Sequence, residues 1–185
     1  RETIETAITA AETGHLVMST LHTSDAVGTI NRVISMFPAY QQGQIRLELA
    51  EVLRGVISMR LVRKKDGKGR VPAVEVLIST DIIRQCIIES EKTVRIPEYI
   101  EAGRSQYGMQ SFDQALLDLF RNDFISYEEA LLHCTRPSDF ALKVKGIQST
   151  EESVKSFEAE KSSEERVFQD TGSKQSDAGS VFTKF

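Results

Sequence analysis

The 185 residues hold 23 Lys and Arg against 27 Asp and Glu, a formal net charge of -4, which gives no overall electrostatic reason to expect nucleic acid or an acidic membrane as the principal partner. No run approaches the roughly 18 apolar residues of a membrane-spanning helix, and RETIETAITA lacks the basic-then-apolar order of a signal peptide. Cys86 and Cys134 form no C-x-x-C pattern, which argues against a disulfide framework or a cysteine zinc site and sets a cytoplasmic location as the expectation.

In chain order, RETIETAITAAETG is rich in helix formers and stops on Gly14, a residue suited to a left-handed helix end. HLVMSTL, residues 15–21, is short, partly β-branched and bounded by Gly14 and the polar HTSD, so it predicts a buried strand. Ser24 or Asp25 can cap a helix through AVGTINRVISMF, where Val27, Ile30, Val33, Ile34 and Phe37 recur at three- and four-residue steps and Pro38 ends the run. After a break over PAYQQG, residues 44–59 repeat the helical period through Ile45, Leu49, Val52, Leu53 and Val56, with Arg46 and Arg54 on the polar side. The order helix, strand, helix is that of an α/β protein.

ISMRLV and RVPAVEVLI then predict two strands joined at an Asp66-Gly67 turn, with Pro72 favouring an edge position or a strand start. The basic stretch 60–70 reads as a solvated turn rather than a binding patch. Helical patterns follow from Thr80 to about Lys145, with Ser79 or Thr80, Ser111 and Ser126 as caps and Glu129 spaced to close a capping box with Ser126. Beyond Gly146 the composition turns to Ser, Glu, Lys, Gln and Asp, and residues 149–185 are expected to be a disordered tail. Phe157, Phe168, Phe182 and Phe185 leave room in it for a short docking motif.

The stretch TGHLVMSTLHT carries His15 and His22. An extended chain rising roughly 3.3 Å per residue would hold them more than about 20 Å apart, too far to share a metal bonded near 2 Å; no metal site is expected. His22, at a strand end beside Thr20 and Thr23, is placed to donate to a phosphate or orient a water, or else simply to bond a neighbouring backbone group. Spacing does not choose between these for His22 and favours the backbone-bonded reading for His15.

A resemblance adds to this. TAAETGHLVMSTLHTSDA resembles the His box of the secretion ATPase superfamily, the hexameric motors of type II secretion and type IV pili, and ETIETAITAAETGH resembles the helix after the Walker B element. NRVISMFPAYQQGQIRLELAEVLRGVIS, GRVPAVEVLIST and GMQSFDQALLDLF continue the match, most like the retraction branch, the PilT type. IIRQCI, residues 82–87, stands where that branch has Ala-Ile-Arg-Asn-Leu-Ile; Ile83, Arg84 and Ile87 are kept, while Ile82, Gln85 and Cys86 differ. The four-cysteine module of assembly-type relatives is absent, which disfavours an assembly-type secretion ATPase.

No G-x-x-x-x-G-K-[ST] loop occurs in the chain, so the cradle that a P-loop ATPase needs for phosphates and Mg²⁺ is lacking. The resemblance implies the C-terminal portion of a longer ATPase, beginning just after Walker B, that uses ATP and Mg²⁺ through parts of the site not present here and is inactive alone. It implies that His22, with Thr20 beside it, reports the γ-phosphate and that His15 supports the same segment. It implies a homohexamer, an inner-membrane platform protein of the type IV pilus machinery as partner, and peripheral association with that membrane.

Arg32, Arg46, Arg54 and Arg84 are candidates for salt bridges coupling subunits; Arg46 and Arg54 read as solvated helix charge, and Arg84, with Ile83 and Ile87, as part of the coupling helix. Glu75 and Glu101 give no comparable reason to be singled out. The expected organisation is the C-terminal part of a RecA-like ATPase core over 1–79, an all-helical region over 80–148 and the tail over 149–185. The competing reading is a non-catalytic regulatory or interaction module that keeps the ring-forming surface.

Overall fold

The computed structural model describes residues 2–146. The chain divides into the units Arg1–Pro137 and Ser138–Phe185. In the second unit the described residues, 138–146, are helical; the expected disordered tail, with its four phenylalanines, lies outside the described residues.

Helix α1, Glu2–Glu12, stops as its sequence predicts: Gly14 takes φ +90°, a left-handed conformation open to glycine without a Cβ clash. Helix α2, Ala26–Ser35, is capped by Asp25, whose carboxylate accepts the Gly28 N–H at 2.7 Å. Helix α3 runs Ala39–Val52, so it starts and ends several residues before the expected 44–59. Pro38 explains the start: it serves as the N-cap of α3, where a missing N–H is harmless, and PAYQQG becomes helix rather than a break. The far end belongs to strand β1, Gly55–Arg63. A Cβ on Gly55 would lie 2.9 Å from the Leu77 carbonyl oxygen, so the close strand approach there requires glycine.

Strand β1 pairs antiparallel with β2, Arg70–Ile78, in the register Ser58↔Glu75 and Leu61↔Pro72. The outer edge of β2 is partly covered by Gln110, which exchanges two backbone bonds with Val76. Among the described residues these are the only named strands. HLVMSTL is therefore not a strand: residues 15–23 are irregular, because a strand needs a ladder partner and no described element supplies one.

The helical continuation comprises α4 (Asp81–Ile88), a 3-10 helix (Ser90–Arg95), α5 (Ile96–Ala102), α6 (Arg104–Tyr107), α7 (Phe112–Arg121) and α8 (Tyr127–His133). The main core joins Ile30 and Ile34 of α2, Leu49 of α3, Leu77 of β2, Ile83 and Ile87 of α4, and Ile96 and Ile100 of α5. Each such fully buried side chain contributes about 1.5–3 kcal/mol of transfer free energy. A smaller cluster of Ile8, Phe37 and Ile45 fastens α1 to α3.

The capping box forms at Ser111 and Gln114 of α7, with both reciprocal bonds present. At α8 only half of the expected box exists: Ser126 accepts the Glu129 N–H, but the Glu129 carboxylate takes the Arg63 N–H at 2.7 Å instead. Thr80 precedes α4 without a side-chain cap bond.

Candidate functional site

Between α1 and α2 the chain crosses residues 15–23 with few backbone bonds of its own. The His15 N–H donates to the Ala10 carbonyl, and the Thr23 N–H to that of Leu21. His15 closes the end of α1 by side chain as well, its Nδ1 lying 3.2 Å from the Ala10 oxygen and 3.1 Å from the Thr13 hydroxyl. This is the backbone-bonded arrangement that its spacing favours. Leu16 and Met18 are 87% and 89% exposed, so the apolar residues that suggested a buried strand have nothing over them in the described chain.

The segment is pinned at its far end. Leu21 packs against the main core, and the Thr23 hydroxyl lies 2.6 Å from that of Thr29 in α2. Thr23 is thereby committed inward, while Thr20 and His22 are exposed. Neither has a side-chain hydrogen bond among the described residues, so both retain free hydrogen-bonding groups for an anionic oxygen. His15 and His22 thus lie in different surroundings, the one bonded at the end of α1 and the other exposed. Among the described residues no group of three or more His, Cys, Asp or Glu side chains is arranged to hold a metal.

The turn after His22 is held from the hairpin. Glu75, 7% exposed on the inward face of β2, accepts the Ala26 N–H at 2.8 Å. Burial pushes its pKa up; the Ala26 bond and the nearby Arg60 pull the other way, and Asp25 and Asp113 add to the rise. Arg60, on the same face of β1, donates one guanidinium N–H to the Ser24 carbonyl (3.4 Å) and another to the His133 carbonyl at the end of α8 (3.3 Å). Its guanidinium carbon lies 3.9 Å from the centre of the Phe112 ring. In the sequence Glu75 belongs to no motif, and Arg60 lies at the start of the basic run 60–70. The signal available was strand phase: both fall among the inward residues Val56, Val62, Ala73 and Leu77, where a charge needs a partner.

The IIRQCI helix, α4, resolves into distinct jobs. Ile83 and Ile87 are fully buried in the core, so they pack α4 and present no surface to a neighbouring subunit. Cys86, where the resembled motif has Leu, is buried beside them. Arg84 is part-exposed and pairs with Asp81 at 2.9 Å; its Nε, with Ser79 Oγ and Thr80 Oγ1, is buried without a partner. Arg32 and Arg54 are exposed. Arg46 is not the solvated charge its position on α3 suggested: it donates to the Ile87 carbonyl at 2.7 Å and the Thr93 hydroxyl at 3.3 Å.

A helix, an irregular segment ending in Thr-Leu-His-Thr, a capped helix held by a hairpin and a packed helical continuation make up a mixed α/β unit, and its likeness to solved ATPase structures makes it part of an α/β P-loop ATPase fold. The sequence matches the family described as type II/IV secretion system protein over residues 1–117. It is 38% identical over 145 residues to the type IV pilus ATPase PilU of Pseudomonas aeruginosa, covering 78% of this chain and 37% of that protein. It is 45% identical over 139 residues to the type IV pilus retractation ATPase PilT of the same organism, covering 75% and 40%. The crystal structure of the pilus retraction motor PilT with bound ADP superposes with a TM-score of 0.64 at 40% identity, covering 75% of this chain and 38% of that one. The chain belongs to the type II/IV secretion system protein family, and within it the likeness is to the PilT type. It spans about two fifths of the length of these relatives.

Proposed function

We propose that these residues are the C-terminal portion of a hexameric ATPase motor that drives type IV pilus retraction and twitching motility, with His22 as its γ-phosphate sensor. The observation that carries the sensor role is the exposed, unpartnered His22 side chain at the end of a segment whose flanks, Leu21 and Thr23, are fixed to the body of the fold. A neutral imidazole there donates one N–H to a phosphate oxygen, and that contact is lost on hydrolysis. Thr20 adds a hydroxyl from the same segment, and His15 holds the other end of it to α1.

ATP bound with Mg²⁺ supplies the phosphoanhydride whose cleavage releases free energy. No G-x-x-x-x-G-K-[ST] loop to cradle the phosphates occurs among these 185 residues, so the chain by itself is expected not to turn over ATP. The fit to this chain is limited to the phosphate end, where free Thr20 and His22 face outward. The organisation into a RecA-like core part over 1–79 and a helical region over 80–148 follows the same reading, with the inner-membrane platform protein as docking partner and a cytoplasmic position against that membrane. Among the described residues no helix is long and apolar enough to cross a membrane.

Phosphate release measured for the purified 185-residue chain and for the full-length protein tests the division of labour. Turnover by the full-length protein alone is expected. Turnover by the isolated chain, with contaminating ATPases removed, would contradict it.

A further inference from the structure

We propose that Arg60 and Glu75 are positioning residues for His22, holding the turn that carries it, and that Arg60 ties that turn to the end of α8. The proposal rests on the sensor reading of His22 given above. Because the His22 side chain has no partner of its own, its aim is set by the backbone on either side. Upstream, Leu21 packs against the main core. Downstream, the turn from Ser24 to Ala26 is gripped by two side chains of the hairpin, 36 and 49 residues away in sequence.

The grip is complementary at the level of single atoms. Ala26 opens α2, and its N–H is one of the amides that a helix leaves without an internal acceptor; the buried Glu75 carboxylate accepts it. Two residues earlier, the Ser24 carbonyl accepts from Arg60. Glu75 and Arg60 are neighbours on the inward face, two positions apart in the register with Met59↔Val74 between them, since Ser58 faces Glu75 and Arg60 faces Ala73. One rigid two-stranded unit therefore fixes a donor and an acceptor of the same short turn.

Arg60 does more than grip. Its flat guanidinium lies over Phe112 at the start of α7, which fixes its plane, and its other arm reaches the His133 carbonyl, where the exposed carbonyls of α8 favour a cation. Both bonds, at 3.3 and 3.4 Å, are longer than the usual range of about 2.7–3.2 Å and correspondingly weak, so a small displacement of Ser24 strengthens or breaks its bond to Arg60. A lysine carries the charge but not the planar fork that serves two carbonyls at once.

The test uses the full-length protein with ATP as probe. Arg60→Lys is expected to lower kcat about tenfold and leave KM within about twofold, the signature of an interaction needed at the reacting stage rather than for binding. Glu75→Ala is expected to lose turnover similarly, and Glu75→Gln, which keeps an acceptor for Ala26, to restore most of it. In a His22→Ala background, Arg60→Lys is expected to add no further loss, because residues acting through one another are not additive. An unchanged kcat for Arg60→Lys, or a loss that multiplies with that of His22→Ala, overturns the proposal while leaving the sensor reading standing. If His22→Ala itself leaves turnover intact, the sensor reading falls and this proposal with it. Should Glu75→Ala fail to fold, the Arg60→Lys cycle decides alone.

Discussion

Arg46, midway along α3, donates to the carbonyl oxygen of Ile87 across 2.7 Å and so closes the C-terminal end of α4. Thr93 completes the closure by donating to the Cys86 carbonyl at 2.9 Å while accepting from Arg46. The helix that stands where retraction motors have their Ala-Ile-Arg-Asn-Leu-Ile motif is thus locked by its own chain as well as packed by Ile83 and Ile87. Charged hydrogen bonds of this kind contribute about 1.5–3 kcal/mol. Arg46→Met is expected to lower stability to urea unfolding by an amount in that range. Arg54→Ala, at an exposed position, is expected to change it by no more than about 0.5 kcal/mol; equal effects would contradict the assignment.

Burial raises the pKa of Glu75 above its ordinary 4.5. A carboxyl that binds its proton more tightly folded than unfolded makes the native state lose stability as pH rises from its unfolded value through its folded one. Glu75→Gln keeps the acceptor for Ala26 and removes the buried charge. Its thermal midpoint is therefore expected to exceed that of the parent at pH 7 and to converge with it near pH 4. A variant less stable at pH 7 by the same margin as at pH 4 would refute this.

Cys86 lies buried in the core, and desolvation pushes its thiol pKa up, against the pull of Arg95 and Lys92. Thiolate is the reactive form, so iodoacetamide is expected to leave Cys86 unmodified in the native protein and to label it in urea. Cys134, half-buried and also raised, first by burial and then by Asp113, is expected to react more slowly at pH 8 than a free thiol. Rapid native labelling of Cys86, read by peptide mass, would contradict its packing.

Gly55→Ala places a methyl group 2.9 Å from the Leu77 carbonyl oxygen. Backbone must shift to admit it, at a cost of about 1–3 kcal/mol. A chevron or equilibrium urea titration reads this directly, and a neutral substitution would show that the hairpin yields more than its register implies.

Local signals carried most of the helical fold. The periodicity of α2, the Gly14 stop and the Asp66-Gly67 hairpin all depend on neighbours in sequence, and each forms as read. What stayed hidden depends on distant partners. HLVMSTL has strand composition without a ladder partner in the described chain. Glu129 was free to close its own cap until the Arg63 amide, 66 residues away, competed for it. Arg46 looked solvated because Ile87 is 41 residues downstream. At the site, resemblance drew attention to His22 and Thr20, but Arg60 and Glu75 were visible only through strand phase, which the basic composition of residues 60–70 obscured.

The proposed role of His22 is to respond to the terminal phosphate of ATP rather than to serve the fold. Its most direct measurement is steady-state ATP turnover and equilibrium ATP binding by the full-length protein with His22→Ala. A fall in kcat of at least about tenfold is expected, with affinity retained within about threefold, since the substitution removes an interaction made at the reacting stage. Turnover equal to that of the unsubstituted protein would contradict it.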